Sequence, residues 1–223
     1  AADVAIALDT WVDSLDPSTE RFRHHQVEAM WVYRSIGVSR PALLRELLNC
    51  ENHHARAAAT RQLRYTLGAT GMPAMPNLAH NGLSFAEALT LLHQRASDIN
   101  GIVRLEAANT ASYLGTIDTV KALLEILKHP MQEHLRFAVR SAVGAEAIAP
   151  LWQSDQTSLT KSEVKTLSDF YENWDKANAK KDAVLKGSAA TSGFDSQKDL
   201  FTIEISTIPE RMLFDIEKFT VRA

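Results

Sequence analysis

Ala55-Arg56-Ala57-Ala58-Ala59-Thr60-Arg61 and Val103-Arg104-Leu105-Glu106-Ala107-Ala108-Asn109 decide the fold. Each is a run of small or apolar residues at helical spacing with an arginine near its start, the stripe of a helix packed on one side. Two further segments share the pattern: His25-Gln26-Val27-Glu28-Ala29-Met30-Trp31 and Leu135-Arg136-Phe137-Ala138-Val139-Arg140. Aligned on Gln26, Arg56, Arg104 and Arg136, they recur at spacings of 30, 48 and 32 residues. Two spacings suit one helical hairpin, and the middle one suits a hairpin with an insertion. Alanine at the repeated positions lets helices approach closely. The Arg or Gln near each start is placed to hydrogen-bond to carbonyls of the preceding turn.

A second helix precedes each of these. Val4 to Leu15 places Ile6, Leu8, Trp11, Val12 and Leu15 on one side. Pro41 to Leu48 opens with proline at a tolerated first-turn position and carries Leu43, Leu44, Leu47 and Leu48. Ser84 to Ala96 begins with the capping-box pair Ser84 and Glu87. Thr119 to Lys128 carries Val120, Leu123, Leu124 and Leu127, and Pro130 ends it. The expectation is about four helical hairpins over residues 1–153. A hairpin cannot bury its apolar face alone, so stacking hairpins into an α-solenoid gives one continuous core. An irregular helical bundle is the alternative.

Between Thr66 and Leu83 lie Gly68, Gly71, Pro73, Pro76, Asn77, Asn81 and Gly82, enough breakers to predict a loop. Residues 154–186 are polar, with Leu167, Phe170, Tyr171 and Trp174 on one face of a helix that Thr160 and Glu163 cap. This helix is expected to close the end of the stack. Gly187, Ser188, Thr191, Ser192 and Gly193 make residues 187–199 a flexible linker. Leu200 to Ile208 alternates apolar and polar residues as a strand does, and Pro209 breaks it. Met212 to Asp215 and Phe219 to Arg222 read as two more short strands. So little β structure does not easily make a stable sheet by itself, and it is read as the beginning of a larger domain.

Composition narrows the function. Of 223 residues, 45% are hydrophobic and 23% charged, the balance of a folded chain. The formal net charge of −3 argues against a nucleic-acid partner, which calls for a basic surface. No uncharged apolar run is long enough to span a bilayer, and no basic-then-apolar leader is read in the chain. A single cysteine, Cys50, excludes an internal disulfide and a Cys-x-x-Cys-His haem attachment.

Chemistry-bearing residues are few. His24-His25 and His53-His54 open two second helices one repeat apart, so both pairs fall on one edge of a stack. They are the weak candidates for a metal site or an enzyme site, together with the Thr66–Leu83 loop. Neighbours on a helix diverge by about 100°, so helix-start hydrogen bonding is the competing role. Cys50, followed by His53 and His54, is read as a small residue ending an apolar helix rather than a nucleophile. Asp9, Asp13 and Asp16 read as a solvated helix face. Arg56, Arg61 and Arg64 read as solvated or paired with Glu46 or Glu51. Trp11, Trp31, Trp152 and Trp174 are scattered, as core anchors are. No Walker, Gly-x-Ser-x-Gly or phosphate-loop motif is present.

Two stretches resemble known families. The four repeat segments, with Lys128-His129-Pro130-Met131 and Pro150-Leu151-Trp152, resemble the HEAT-repeat region of multidomain bacterial proteins usually described as membrane-bound, haem-binding dehydrogenases. In that family a sugar-dehydrogenase-like propeller precedes the HEAT region and a cytochrome c module follows it. Phe201 to Ala223, through Ile208-Pro209-Glu210-Arg211-Met212-Leu213-Phe214-Asp215 and Phe219-Thr220-Val221-Arg222-Ala223, resembles the opening strands of an azurin- or plastocyanin-like cupredoxin domain, which some members carry after the HEAT region.

The resemblance, which covers about residues 20–153, extends the solenoid reading of residues 1–153 to a HEAT-like, mainly α solenoid and implies the first strands of a cupredoxin-like domain at 200–223. It implies a non-catalytic scaffold in an extracytoplasmic, periplasmic electron-transfer protein, with a protein partner or neighbouring domains. It places copper and haem in other parts of the parent polypeptide and no cofactor in this chain. The family's copper ligands would lie beyond Ala223, so no catalytic or copper-binding residue transfers. A free-standing adaptor that binds another protein is the second expectation.

Overall fold

A computed structural model describes residues 2–65 and 82–173, and the backbone of residues 200–208 and 213–222. The Thr66–Leu83 loop (but for Gly82 and Leu83), the 187–199 linker and Trp174 lie outside the described residues. The chain divides into two compact units, Ala1–Trp174 and Asp175–Ala223.

The first unit is mainly α. Helices α1 (Ala2–Asp13), α2 (Phe22–Ser35), α3 (Pro41–Asn49), α4 (His53–Gln62), α5 (Phe85–Ala96), α6 (Gly101–Leu114), α7 (Ile117–Leu127), α8 (Glu133–Val143) and α9 (Ala149–Gln153) follow one another, with a 3-10 turn at Leu63–Tyr65. A tenth helix, α10, covers 161–173. Caps set the starts, because the first turn of a helix leaves N–H groups without partners. The side chains of Asn52, Ser84, Asn100 and Thr116 each accept from a backbone N–H in the first turn of the helix that follows. Ser84 accepts from Glu87 N–H, but the Glu87 carboxylate goes to Arg45, so the expected box is only half made. Helix α7 begins at Ile117, earlier than the expected Thr119, because Thr116 and Thr119 form a reciprocal capping box. Gly115 closes α6 in the left-handed conformation, with φ 55°.

Consecutive helices pack as pairs: α1 with α2, α3 with α4, α5 with α6, α7 with α8. Across the pairs, α2 packs on α4, α4 on α6 and α6 on α8, while α5 packs on α7. Alanines make the close approach in the α2–α4–α6–α8 row: Ala29, Ala59, Ala108 and Ala111 are wholly buried. The α4–α6 contact is near enough for Thr110 Oγ1 to donate to the Thr60 carbonyl at 3.0 Å. Leu47, Leu48, Leu92 and Leu123 fill the space between the pairs in one continuous core.

The first helix departs from expectation. Only Ala5 is buried there, Leu8 and Val12 pack partly, and Ile6 and Trp11 are exposed. Among the described helices α1 packs chiefly on α2, and its other side is left open.

Helix α10 packs on the core through buried Leu167 and partly buried Val164, Phe170 and Tyr171. Its capping box is complete: Thr160 N–H donates to Glu163 Oε2, and Glu163 N–H donates to Thr160 Oγ1. Tyr171 lies over Gly144, with Arg140 stacked on its ring and Trp152 beside it. A Cβ on Gly144 would stand 2.8 Å from the Tyr171 ring. We therefore expect Gly144→Ala to cost about 1–3 kcal/mol by overpacking. Urea unfolding measures the loss, and Gly144→Ala/Tyr171→Ala should recover part of it.

In the second unit, β1 (Leu200–Ile208) and β2 (Leu213–Arg222) pair antiparallel. The two separate strands expected over Met212–Asp215 and Phe219–Arg222 are one. Ile203 pairs with Phe219 and Ile205 with Ile216, so β2 holds one extra residue there. A bulge absorbs it and the strand continues.

Candidate functional site

The first unit offers two features on which chemistry or recognition can be built: the loops that lead into α4, α6 and α8, and the opposite ends of the same row of helices.

At the loops, Arg56 and Arg104 occupy equivalent places and do equivalent work. Arg56 donates Nη1 to the carbonyls of Cys50 and Glu51, and Arg104 donates Nη1 to those of Asp98 and Ile99. Each then reaches the next hairpin. Arg56 makes a bidentate pair with Asp98, both bonds 2.9 Å, and Arg104 donates Nη2 to the Pro130 carbonyl at 2.8 Å. Gln26 differs: its amide donates to Glu46 and accepts from Arg23. Arg136 is exposed.

Asp98 is the centre of this cluster. Its carboxylate is 6% exposed and meets Arg56, Arg95 at 3.6 Å and the Asn100 N–H. Burial pushes its pKa up, but the Arg56 hydrogen bonds, the Asn100 N–H and the charges of Arg56 and Arg95 outweigh that and hold it below the ordinary 3.8. A depressed carboxylate pKa gives stability that is present above the unfolded value and is lost as pH falls through the folded one. Stability should therefore fall as pH drops below about 4. Chemical denaturation across that range should show a smaller acid loss in Asp98→Asn than in the parent chain.

Beside this cluster, a cleft of about 790 Å³ opens between the α5–α6 and α7–α8 loops. Ile99, Ile102, Leu105, Pro130, Met131 and Leu135 supply its apolar lining, and Arg104, Gln132 and His134 its polar one. Ile99 is 94% exposed at its lip.

The histidine pairs are elsewhere. His24 Nε2 is 3.1 Å from Glu28, and His25 lies against the Trp11 ring. The His53 and His54 rings face one another with centroids 4.1 Å apart. No hydrogen bond or ring contact joins one pair to the other among the described residues. Those residues also contain no group of three or more His, Cys, Asp or Glu placed to hold a metal ion. Cys50 is buried and donates to the Asn52 carbonyl, and burial raises its thiol pKa.

Two expectations about charge need correction. Asp9 is not merely solvated: it pairs with Arg40 at 2.6 Å and accepts from Tyr33 Oη at 2.6 Å. The Arg40 hydrogen bonds, then that of Tyr33, draw its pKa down. The Tyr33 hydroxyl is pushed up to about 12 by burial and then by Asp9. The folded chain thus keeps a proton that the unfolded chain loses near pH 10, so stability falls from pH 10 towards 12, and Tyr33→Phe should flatten that fall in alkaline denaturation curves. Arg56, Arg61 and Arg64 do not pair with Glu46 or Glu51, which Arg23 takes instead. Arg61 pairs with Glu106.

Arg64 belongs to the second feature. Its guanidinium lies over the rings of Tyr65, at 4.9 Å, and Tyr113, at 5.3 Å, and Arg34 lies over Tyr65 at 4.9 Å. Arg34 ends α2, Arg64 and Tyr65 follow α4, and Tyr113 ends α6. Arg34, Tyr65 and Tyr113 were not legible as a group, because no two of the three elements are adjacent in sequence. The only signal was that each cation or ring ends a repeated helix.

No protein-family model, curated protein or solved structure matches the chain. No described helix is long and apolar enough to cross a membrane.

Proposed function

We propose that residues 1–153 form a HEAT-like α-solenoid that works as a non-catalytic scaffold, holding and orienting neighbouring modules of a larger extracytoplasmic redox protein. One observation carries the repeat reading. Arg56 and Arg104 make the same two bonds to the loop before their helix, and each clamps the loop of the next hairpin. A device repeated at equivalent places supports one hairpin unit stacked on copies of itself, which is how a solenoid is built. In this reading the packed α2–α4–α6–α8 row is the face offered to protein partners.

The redox context rests on the sequence resemblance alone. In that reading the β1–β2 pair begins a cupredoxin-like domain, and haem and copper are held by other domains of the parent protein. Metal analysis and visible absorbance of the purified chain test the scaffold role. No stoichiometric haem or copper is expected, and either one bound would refute it. The reading frame after Ala223 tests the context: copper ligands encoded there favour the redox scaffold, and a stop codon favours a free-standing adaptor.

A further inference from the structure

We infer that the guanidinium–tyrosine row at the ends of α2, α4 and α6 is a docking site for an acidic peptide segment of a partner protein. This deepens the scaffold reading and rests on it. The order in space is Arg34, Tyr65, Arg64, Tyr113, with each cation 4.9 to 5.3 Å from a ring centroid. Among the described residues neither arginine has a carboxylate partner, in contrast to Arg23, Arg40, Arg45, Arg56 and Arg61, which all do. Residues 66–81, which follow Tyr65, contain no Asp or Glu and bring no counter-charge of their own.

Ring stacking fixes the plane of a guanidinium and leaves its edge for hydrogen bonds. Arg64 spends one Nη on the Tyr65 hydroxyl, at 2.9 Å, and its Nε is buried without a partner, so Arg64 offers its remaining Nη and its charge. Among the described residues, Arg34 makes a ring contact with Tyr65 and no side-chain hydrogen bond. The planar, pre-oriented edge of Arg34 matches a carboxylate bidentately and loses little side-chain entropy on binding. The surroundings suit a peptide: Trp31, one turn before Arg34, and Tyr113 are both exposed large aromatics, and Arg, Trp and Tyr are the residues that dominate protein interfaces. Two uncompensated cations are enough for one or two carboxylates. They are too few to follow a nucleic-acid backbone on a chain of net charge −3.

The test is fluorescence anisotropy of the whole chain with three labelled probes: a short peptide of alternating Glu and Tyr, the same peptide with Gln for Glu, and an oligothymidine. The Glu peptide should bind at least about tenfold tighter than the Gln peptide, and added salt should weaken it. Arg34→Ser/Arg64→Ser should lose about tenfold or more, a difference of 1.4 kcal/mol. Lys165→Ser, on α10, should lose nothing. Arg34→Ser alone should lose about threefold to fivefold, which keeps the test decisive if the double variant does not fold. Equal binding of both peptides, indifference to both arginine variants, or tighter binding of the oligothymidine would each overturn the site. A metal-free chain that ignores the peptide removes this site and leaves the scaffold role standing. A chain that binds the peptide but carries haem does the reverse.

Discussion

Asp98→Ala lowers the stability of the folded chain by about 3–5 kcal/mol, the loss expected when one partner of a buried ion pair is removed. The carboxylate is 6% exposed and is shared by Arg56, Arg95 and the Asn100 N–H. Without it, Arg56 keeps only its bonds to the Cys50 and Glu51 carbonyls, and Arg95 keeps its bond to the Leu48 carbonyl. Two guanidiniums then stay in a poorly solvated place without their shared carboxylate. The Asn100 N–H also loses an acceptor just before α6 starts. Equilibrium urea unfolding measures the effect, and Arg56→Met/Asp98→Leu separates the pair from its burial. If the double variant recovers most of the loss, the cost lies in the stranded charge rather than in the bond. A loss under about 1 kcal/mol in Asp98→Ala would mean that water reaches the pair.

Leu123→Ala is expected to cost about 2–5 kcal/mol. Leu123 lies on α7, is wholly buried, and belongs to the continuous core that runs through the paired helices. Truncation removes its transfer free energy and leaves a cavity between helices that the packing on α5 and α8 keeps from collapsing. Because the core is shared, the loss should lower a single cooperative transition rather than melt one hairpin. Far-ultraviolet circular dichroism and tryptophan fluorescence, followed together in urea, distinguish the two. Coincident curves support one core, and a fluorescence change that precedes the loss of helix would indicate that part of the unit unfolds alone.

The local rules were legible because they act within a turn or two of chain. Leucines at Leu43, Leu44, Leu47 and Leu48 marked the buried face of α3, and Thr160 with Glu163 marked the start of α10. The bonds from Arg56 and Arg104 to carbonyls five or six residues back were legible for the same reason. Where neighbours decide, the reading failed. Ile6 and Trp11 share a helix face with Leu8 and Val12, but α1 packs chiefly on α2 and does not bury all of them. Arg61 and Arg64 stand three apart on one chain segment, yet one meets Glu106 and the other meets tyrosine rings.

By itself the sequence determined a mainly helical chain, most of its helix starts, and the arginines that tie each loop to its own helix. Hydrophobic period and end-capping are encoded in consecutive residues, so these features need no knowledge of what lies opposite. The tertiary structure decided which hairpin each charge reaches. Arg45 meets Glu87, Arg56 meets Asp98 and Arg61 meets Glu106, across separations of 42 and 45 residues. Those partners, and the Arg34–Tyr65–Arg64–Tyr113 row, follow from how closely the alanine-faced helices stack. That spacing is set by packing, which no single segment of the chain contains.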